Sequence, residues 1–250
     1  MKKISLLLLI CLPLMAMAQQ EGRITYKETT KFEIDLPEEA QQYAHLIPTE
    51  NVSTMELLFN ANESLYMEAE IPEESEQTLM EGGMTTVISM GRGASAKTYF
   101  NVEENLLVQS QDMMGQPFLI TGPLPEMNWK VVPEQKEILG QVCMKAIHTK
   151  DSVTHIAWFA PGIPASVGPA NWRGLPGAVL EVSMESENTG MTIEATEIVF
   201  EDISDKIAKP KKGKKVTQEE FGKIMEAKMK EMGAEQNGDG PAIMIRVERN

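Results

Sequence analysis

From Ile24 to Leu36 the chain alternates apolar and polar residues almost one for one. Ile24, Tyr26, Phe32, Ile34 and Leu36 fall on one face, and Thr25, Lys27, Thr29, Lys31, Glu33 and Asp35 on the other. A period of two is the geometry of a strand, whose successive side chains point to opposite faces, and it cannot form one stripe of a helix. The pattern recurs. Met55, Leu57 and Phe59 alternate with Thr54 and Glu56, and Leu65, Met67 and Ala69 with Glu68 and Glu70. Asn60-Ala61-Asn62 between the two runs is turn chemistry, so a hairpin is expected. Further strands are expected around Lys97–Asn101, Leu106–Ser110 and Pro117–Thr121, then at Trp129–Val132, Lys136–Thr149, Val153–Ala160, Gly177–Ser186 and Met191–Phe200. The gaps leave no room for the crossover helices that parallel neighbours need, which points to an antiparallel meander. Pro37–Leu46 reads as a short helix or loop. Residues 71–95, with Glu, Gly, Ser and scattered Met, read as a long loop.

The pattern changes near the C-terminus. Residues 206–216 crowd six lysines around Pro210 and Gly213, a solvated linker. The alternative, contact with an anionic membrane surface or lipopolysaccharide, stays open. Thr217-Gln218-Glu219-Glu220 is a capping box opening a helix over 217–233, with Phe221, Ile224, Met225, Met229 and Met232 on one stripe. Gly233 is placed to end it. Residues 242–248 alternate again, with Ile243, Ile245 and Val247 on one face, and read as a closing strand. The expected fold class is therefore mainly β: a single domain with a curved antiparallel meander sheet and a C-terminal helix packed on it.

Residues 1–18 read as a signal peptide. Lys2 and Lys3 precede the apolar run Ile4–Met15, and Ala16-Met17-Ala18 supplies small residues for cleavage. The run is too short for a membrane anchor, and Ile10 before Cys11 argues against a lipoprotein site. Cleavage leaves residues 19–250 as an exported domain of the periplasm, outer membrane or exterior. Its net charge moves from −14 to −16 with the loss of two lysines. That balance argues against a nucleic-acid binder, which needs a broad basic face. No second apolar run approaches the roughly 18 residues that span a bilayer. One cysteine remains, Cys143, so no internal disulfide is possible; it is either a buried small hydrophobe or a free thiol.

No arrangement of residues announces a reaction. The three histidines, His45, His148 and His155, show no metal-ligand spacing, although His148 and His155 flank a turn and could face each other across a hairpin. Cys143 with either histidine lacks the helix terminus or loop that activates a thiol. No nucleophile elbow or phosphate-cradling glycine loop is present. No catalytic residue, metal ligand or cofactor is assigned. The 18 methionines are the one compositional excess. Met113-Met114, Met225/Met229/Met232 and Cys143-Met144 could serve copper(I), which thioethers select, but such residues more often fill irregular core gaps.

The richest stretch runs from Trp158 to Leu180. It contains Trp158-Phe159, Ile163-Pro164, Gly168-Pro169, Trp172-Arg173 and Gly174-Leu175-Pro176-Gly177. Each Pro fixes φ near −65° and each Gly opens φ > 0, so together they specify one loop path at low entropy cost. Two Trp and Leu175 would anchor it to the core. Such a loop is either a binding rim or a plug over one end of a sheet.

These residues resemble the GLPGLI family, exported proteins found mainly in Bacteroidota. Gly174-Leu175-Pro176-Gly177 matches the motif's first four positions, and Ala178-Val179 replace its Leu-Ile. Trp129, Lys136, Ile138, Gly140, Cys143, Ala146, Ala157-Trp158-Phe159, Ile163-Pro164 and Gly168-Pro169 fit the upstream pattern, with a looser spacing between Lys136 and Gly140. The resemblance implies no catalytic residues, since the family has no established function. It implies a lipoprotein-carrier-like half-barrel with a helix in its concave face. The expected role is a non-enzymatic binding protein for an apolar small molecule, held by the concave face or by the loop. Alternatives are an interaction module for an envelope protein of an outer-membrane or secretion assembly, and copper(I) handling.

Overall fold

The computed structural model describes residues 21–32, 49–69, 78–81, 84–87, 96–150, 153–185, 189–203, 205–231 and 246–248. The expected signal peptide, the 37–46 segment and the C-terminal turn lie outside them. The strands are β1 (Gly22–Phe32), β2 (Glu50–Phe59), β3 (Glu63–Glu68), β4 (Thr78–Glu81), β5 (Met84–Val87), β6 (Lys97–Asn101), β7 (Leu106–Met113), β8 (Gln116–Gly122), β9 (Lys130–Ile138), β10 (Gln141–Lys150), β11 (Val153–Ala160), β12 (Ala178–Glu185), β13 (Thr189–Val199), β14 (Lys214–Val216) and β15 (Arg246–Glu248), with α1 (Gln218–Glu231) before the last.

Twelve strands form one open sheet in the order β14-β8-β7-β6-β3-β2-β1-β13-β12-β11-β10-β9. The chain is mainly β, as the alternation requires. Two meanders make this sheet. One leads from β1 through β8, and the other returns from β9 through β13, which pairs antiparallel with β1. The described pairings are antiparallel except one: β14 lies parallel to β8.

That order forces curvature. Ten strand spacings separate β8 from β9, about 48 Å if the sheet were flat at ~4.8 Å each. Yet eight peptide steps join Gly122 to Lys130, a reach of roughly 28 Å at most. The sheet must bend until its two sides approach each other. The inner face carries the main core: Ile24 and Tyr26 of β1, Leu57 and Phe59 of β2, Ala146, Ala157 and Phe159, and Val182 and Ile193, all essentially inaccessible. Tyr26 donates from its hydroxyl to the Val179 carbonyl at 2.7 Å, and burial pushes its pKa well up. On the outer face Leu58, Leu65, Tyr99, Val108 and Leu119 form a second cluster, closed by Ile203 from the segment after β13.

Several expectations need correction. Trp129–Val132 and Lys136–Thr149 are not two strands broken at Pro133. β9 runs through Pro133, and the break falls at Leu139-Gly140, a two-residue turn with φ of 50° and 75°. That is a hairpin turn without the Asn-Gly or Asp-Gly pair that would have marked it. The stretch 71–95 is not all loop, because it contains β4 and β5. The closing strand does not close the main sheet; β15 pairs with β5 in a separate three-stranded sheet. The 206–216 linker ends in β14.

The capping box forms as expected. The Thr217 amide donates to the Glu220 carboxylate at 2.8 Å, and the Glu220 amide to the Thr217 hydroxyl at 3.2 Å. These bonds hold the Glu220 carboxyl below its usual pKa. The helix covers the inner face only at the β8 end of the sheet, because Phe118 and Ile120 alternate with the outward Leu119 and share the face of Gln109. It packs by its first turns over the sheet's edge, where Phe221 meets Phe118 edge-on at 5.3 Å between ring centres, beside Ile120 and Val216.

Candidate functional site

The segment 161–177 between β11 and β12 folds back against the inner face. Its backbone advances in tight turns: the Ala165, Val167 and Gly177 amides each donate to the carbonyl two residues earlier, at 2.8 Å. Ile163, Ala165 and Val167 turn inward while Pro164 and Ser166 face out, so the loop borrows the alternation of a strand. The Val179 amide donates to the Val167 carbonyl at 2.9 Å, which ties the loop to the start of β12. Ile163, Ala165, Val167 and Leu175 all belong to the main core. Two glycines permit this packing. A Cβ at Gly168 would run into the Trp172 carbonyl and the Val179 side chain. One at Gly177, whose φ is 155°, would run into the Ala160 carbonyl.

Of the motif residues, Phe159, Ile163, Gly168, Pro169, Leu175 and Gly177 are thus buried scaffold. Pro164, Gly174 and Pro176 are exposed, and Trp158 and Trp172 are partly exposed. Trp158 stands in β11, ahead of the loop, and packs partly buried against the main core. Alternation from Ala157 turns it to the outer face, where the Lys136 ammonium lies 4.5 Å and the Lys145 ammonium 5.9 Å from its ring centre. Glu181 holds Lys136 there at 2.6 Å.

The loop tip, Asn171-Trp172-Arg173, crosses the concavity and touches both sides. Asn171 accepts from the Gln109 amide of β7 at 3.4 Å. Arg173 lays its guanidinium 4.8 Å from the ring centre of Phe100 on β6. Trp172 turns the other way and meets His155 of β11, ring centres 4.5 Å apart. His155 faces His148 directly across the β10–β11 hairpin, with stacked rings at 5.9 Å. Trp129, from the β8–β9 connection, completes the group at 5.6 Å from His148 and 6.3 Å from Trp172. Its indole N–H donates to the Arg173 carbonyl at 2.8 Å. All four rings are partly exposed. They form an aromatic wall at the mouth of the bent sheet, and register carries the row onward through Met184 and Met191.

The electrostatics of this mouth are uneven. The His155 Nδ1 is buried and makes no hydrogen bond. Burial, His148 and Lys150 together hold its pKa below the ordinary imidazole value, so the ring is neutral at pH 7. A neutral, half-desolvated imidazole against an indole is an apolar surface with one spare polar edge. On the opposite side, Arg173 is 7% exposed. Burial lowers its pKa.

Cys143 is fully buried in the main core, and burial pushes its thiol up to about 11, which disfavours the thiolate. Met113 and Met225 pack beside Phe118, and Met144 against the main core. Among the described residues no group of three or more His, Cys, Asp or Glu comes together to hold a metal. The sequence pointed to the facing histidines through their positions about the turn. It gave no sign that Trp129, Gln109 or Phe100 would join them, because these converge only through the bend of the sheet.

Residues 147–181, the stretch carrying the loop, match a family described as a protein of unknown function (Porph_ging). No curated protein matches the chain. Two solved structures of PNGF-II, in different crystal forms, align over 81% of this chain and about a third of theirs. Their TM-scores are 0.53 and 0.49, at 13% and 15% identity. LprF from Mycobacterium bovis aligns over 78% of this chain and 91% of its own, at 7% identity and a TM-score of 0.29. At these identities the first likeness speaks for the fold alone, and the other two are weaker still. The match to an unknown-function family covers the loop that builds the mouth.

Proposed function

We propose that this chain is an exported, non-enzymatic binding protein of the cell envelope that holds a small molecule with an apolar body at the mouth of its bent sheet. Export rests on the charged, apolar and small-residue segments of residues 1–18 and on the GLPGLI resemblance. The observation that carries the binding reading is the partly exposed aromatic wall of Trp129, His148, His155 and Trp172, fixed by a loop whose other apolar residues are spent on the core. Rigid aromatic surface beside a few convergent polar groups is what small-molecule sites are made of. The loop thus combines both of its expected roles. Its body is a plug, and its tip is a rim.

Protein isolated from its own envelope without detergent, then extracted into organic solvent, is expected to release one class of compound at near-stoichiometric yield by mass spectrometry. Trp172→Ala is expected to lose most of it. An extract indistinguishable from that of an unrelated exported protein would overturn the reading.

A further inference from the structure

Arg173 is a buried cation in an acidic protein, yet no carboxylate among the described residues pairs with it. Its Nη2 donates to the Ser166 carbonyl at 3.5 Å, the outer limit of a hydrogen bond, and its plane rests on Phe100. A guanidinium carries five N–H donors, so most of its capacity is unspent. Desolvating a charge without a partner is costly, and the face of one phenyl ring returns only part of that cost. The contrast with Arg23 is sharp. That residue, more exposed, gathers Glu56 and Glu197 at 3.2 Å and Glu201 at 3.8 Å. Acids are plentiful among the described residues, so it is not for want of them there that Arg173 has no carboxylate partner.

Its surroundings are polar and loosely joined. Gln109 Nε2 reaches the Thr98 hydroxyl at 3.5 Å and Asn171 at 3.4 Å, both long bonds. Thr98 shares the inner face of β6 with Phe100. These amide and hydroxyl groups can re-aim toward an acceptor at little cost. A planar guanidinium flanked by such donors suits bidentate capture of a carboxylate or phosphate.

We propose that Arg173 is the anchor for an acidic head group, carboxylate or phosphate monoester, of the molecule held at the loop tip. This rests on the binding reading above and adds the ligand's charge to it. The apolar body lies along Trp172 and Trp129, and the head reaches the remaining accessible edge of Arg173.

Calorimetric titration of the full exported chain with four probes tests this, the chain acids kept below their micelle concentrations and the alcohol below its solubility. The probes are dodecanoate, dodecyl phosphate, dodecanol and inorganic phosphate. The two chain acids are expected to bind at least ten-fold more tightly than dodecanol, with inorganic phosphate weaker than either. Arg173→Gln is expected to bring acid and alcohol to equal affinity, and Arg173→Lys to keep part of the difference. Equal binding of acid and alcohol by the parent protein would overturn the anchor and leave the binding reading standing. Binding of inorganic phosphate as tight as the chain acids would keep an anion site and remove the apolar body. No binding by any probe would overturn both. The comparison within the parent protein decides the matter even if a variant fails to fold.

Discussion

Gly177→Ala is expected to destabilise the protein by about 3 kcal/mol or more, combining backbone strain with a steric clash. For a chain of this size that lowers the thermal midpoint by roughly 6–12 °C. At φ of 155° a side chain is strained, and the added Cβ meets the Ala160 carbonyl, which is backbone and cannot swing aside. The clash sits where the loop rejoins β12, so relief requires the loop to leave its seat. Gly222→Ala is the matched control. It lies in α1 with open space around it, and it is expected to stabilise by up to about 1 kcal/mol. Differential scanning calorimetry of the two variants separates a general glycine effect from the seat of the loop. A Gly177→Ala midpoint within 2 °C of the parent, less than about 1 kcal/mol of destabilisation, would contradict the packing described.

Leu175→Ala is expected to cost about 2–5 kcal/mol, the range for emptying a well-packed site. Leu175 is 2% exposed and packs in the same core as Tyr26, Phe159 and Leu180. Its neighbour Pro176 is exposed, and Pro176→Ala is expected to stay within about 0.5 kcal/mol. Denaturant unfolding of both variants reads the difference. Equal effects would mean that the Gly-Leu-Pro-Gly segment lies on the surface as a rim, with no role as a plug.

Much of the sheet was legible because alternation reports local geometry. β1, β2, β3 and the hairpin between the last two follow directly from the alternating runs between Ile24 and Ala69, and the Thr217–Glu220 cap from four residues. What stayed hidden depends on distance in the chain. The Leu139-Gly140 turn looked like strand because leucine seldom takes φ > 0. β14 is three residues inside a lysine run, held by pairing with β8 and not by its own pattern. The sequence leaves the loop open between plug and rim, because the same Gly and Pro residues serve both. Burial of Ile163, Val167 and Leu175 settles its body. Nothing in the residues around Arg173 marks it as buried. An arginine in a turn reads as solvated, and its burial against Phe100, some seventy residues earlier, follows from the bend of the sheet.

The central claim is that the body of 161–177 is seated in the core through Ile163, Ala165, Val167 and Leu175, while its tip stands free at the mouth. Native-state hydrogen exchange tests it most directly. The amides of Val167, Ala178 and Val179, which donate within the seated loop or at its junction with β12, are expected to exchange only by near-global opening. Those of Asn171, Arg173 and Gly174 are expected to exchange fast and to slow when dodecanoate is added. Exchange of Val167 and Val179 as fast as the tip, in protein that is otherwise folded, would contradict the account.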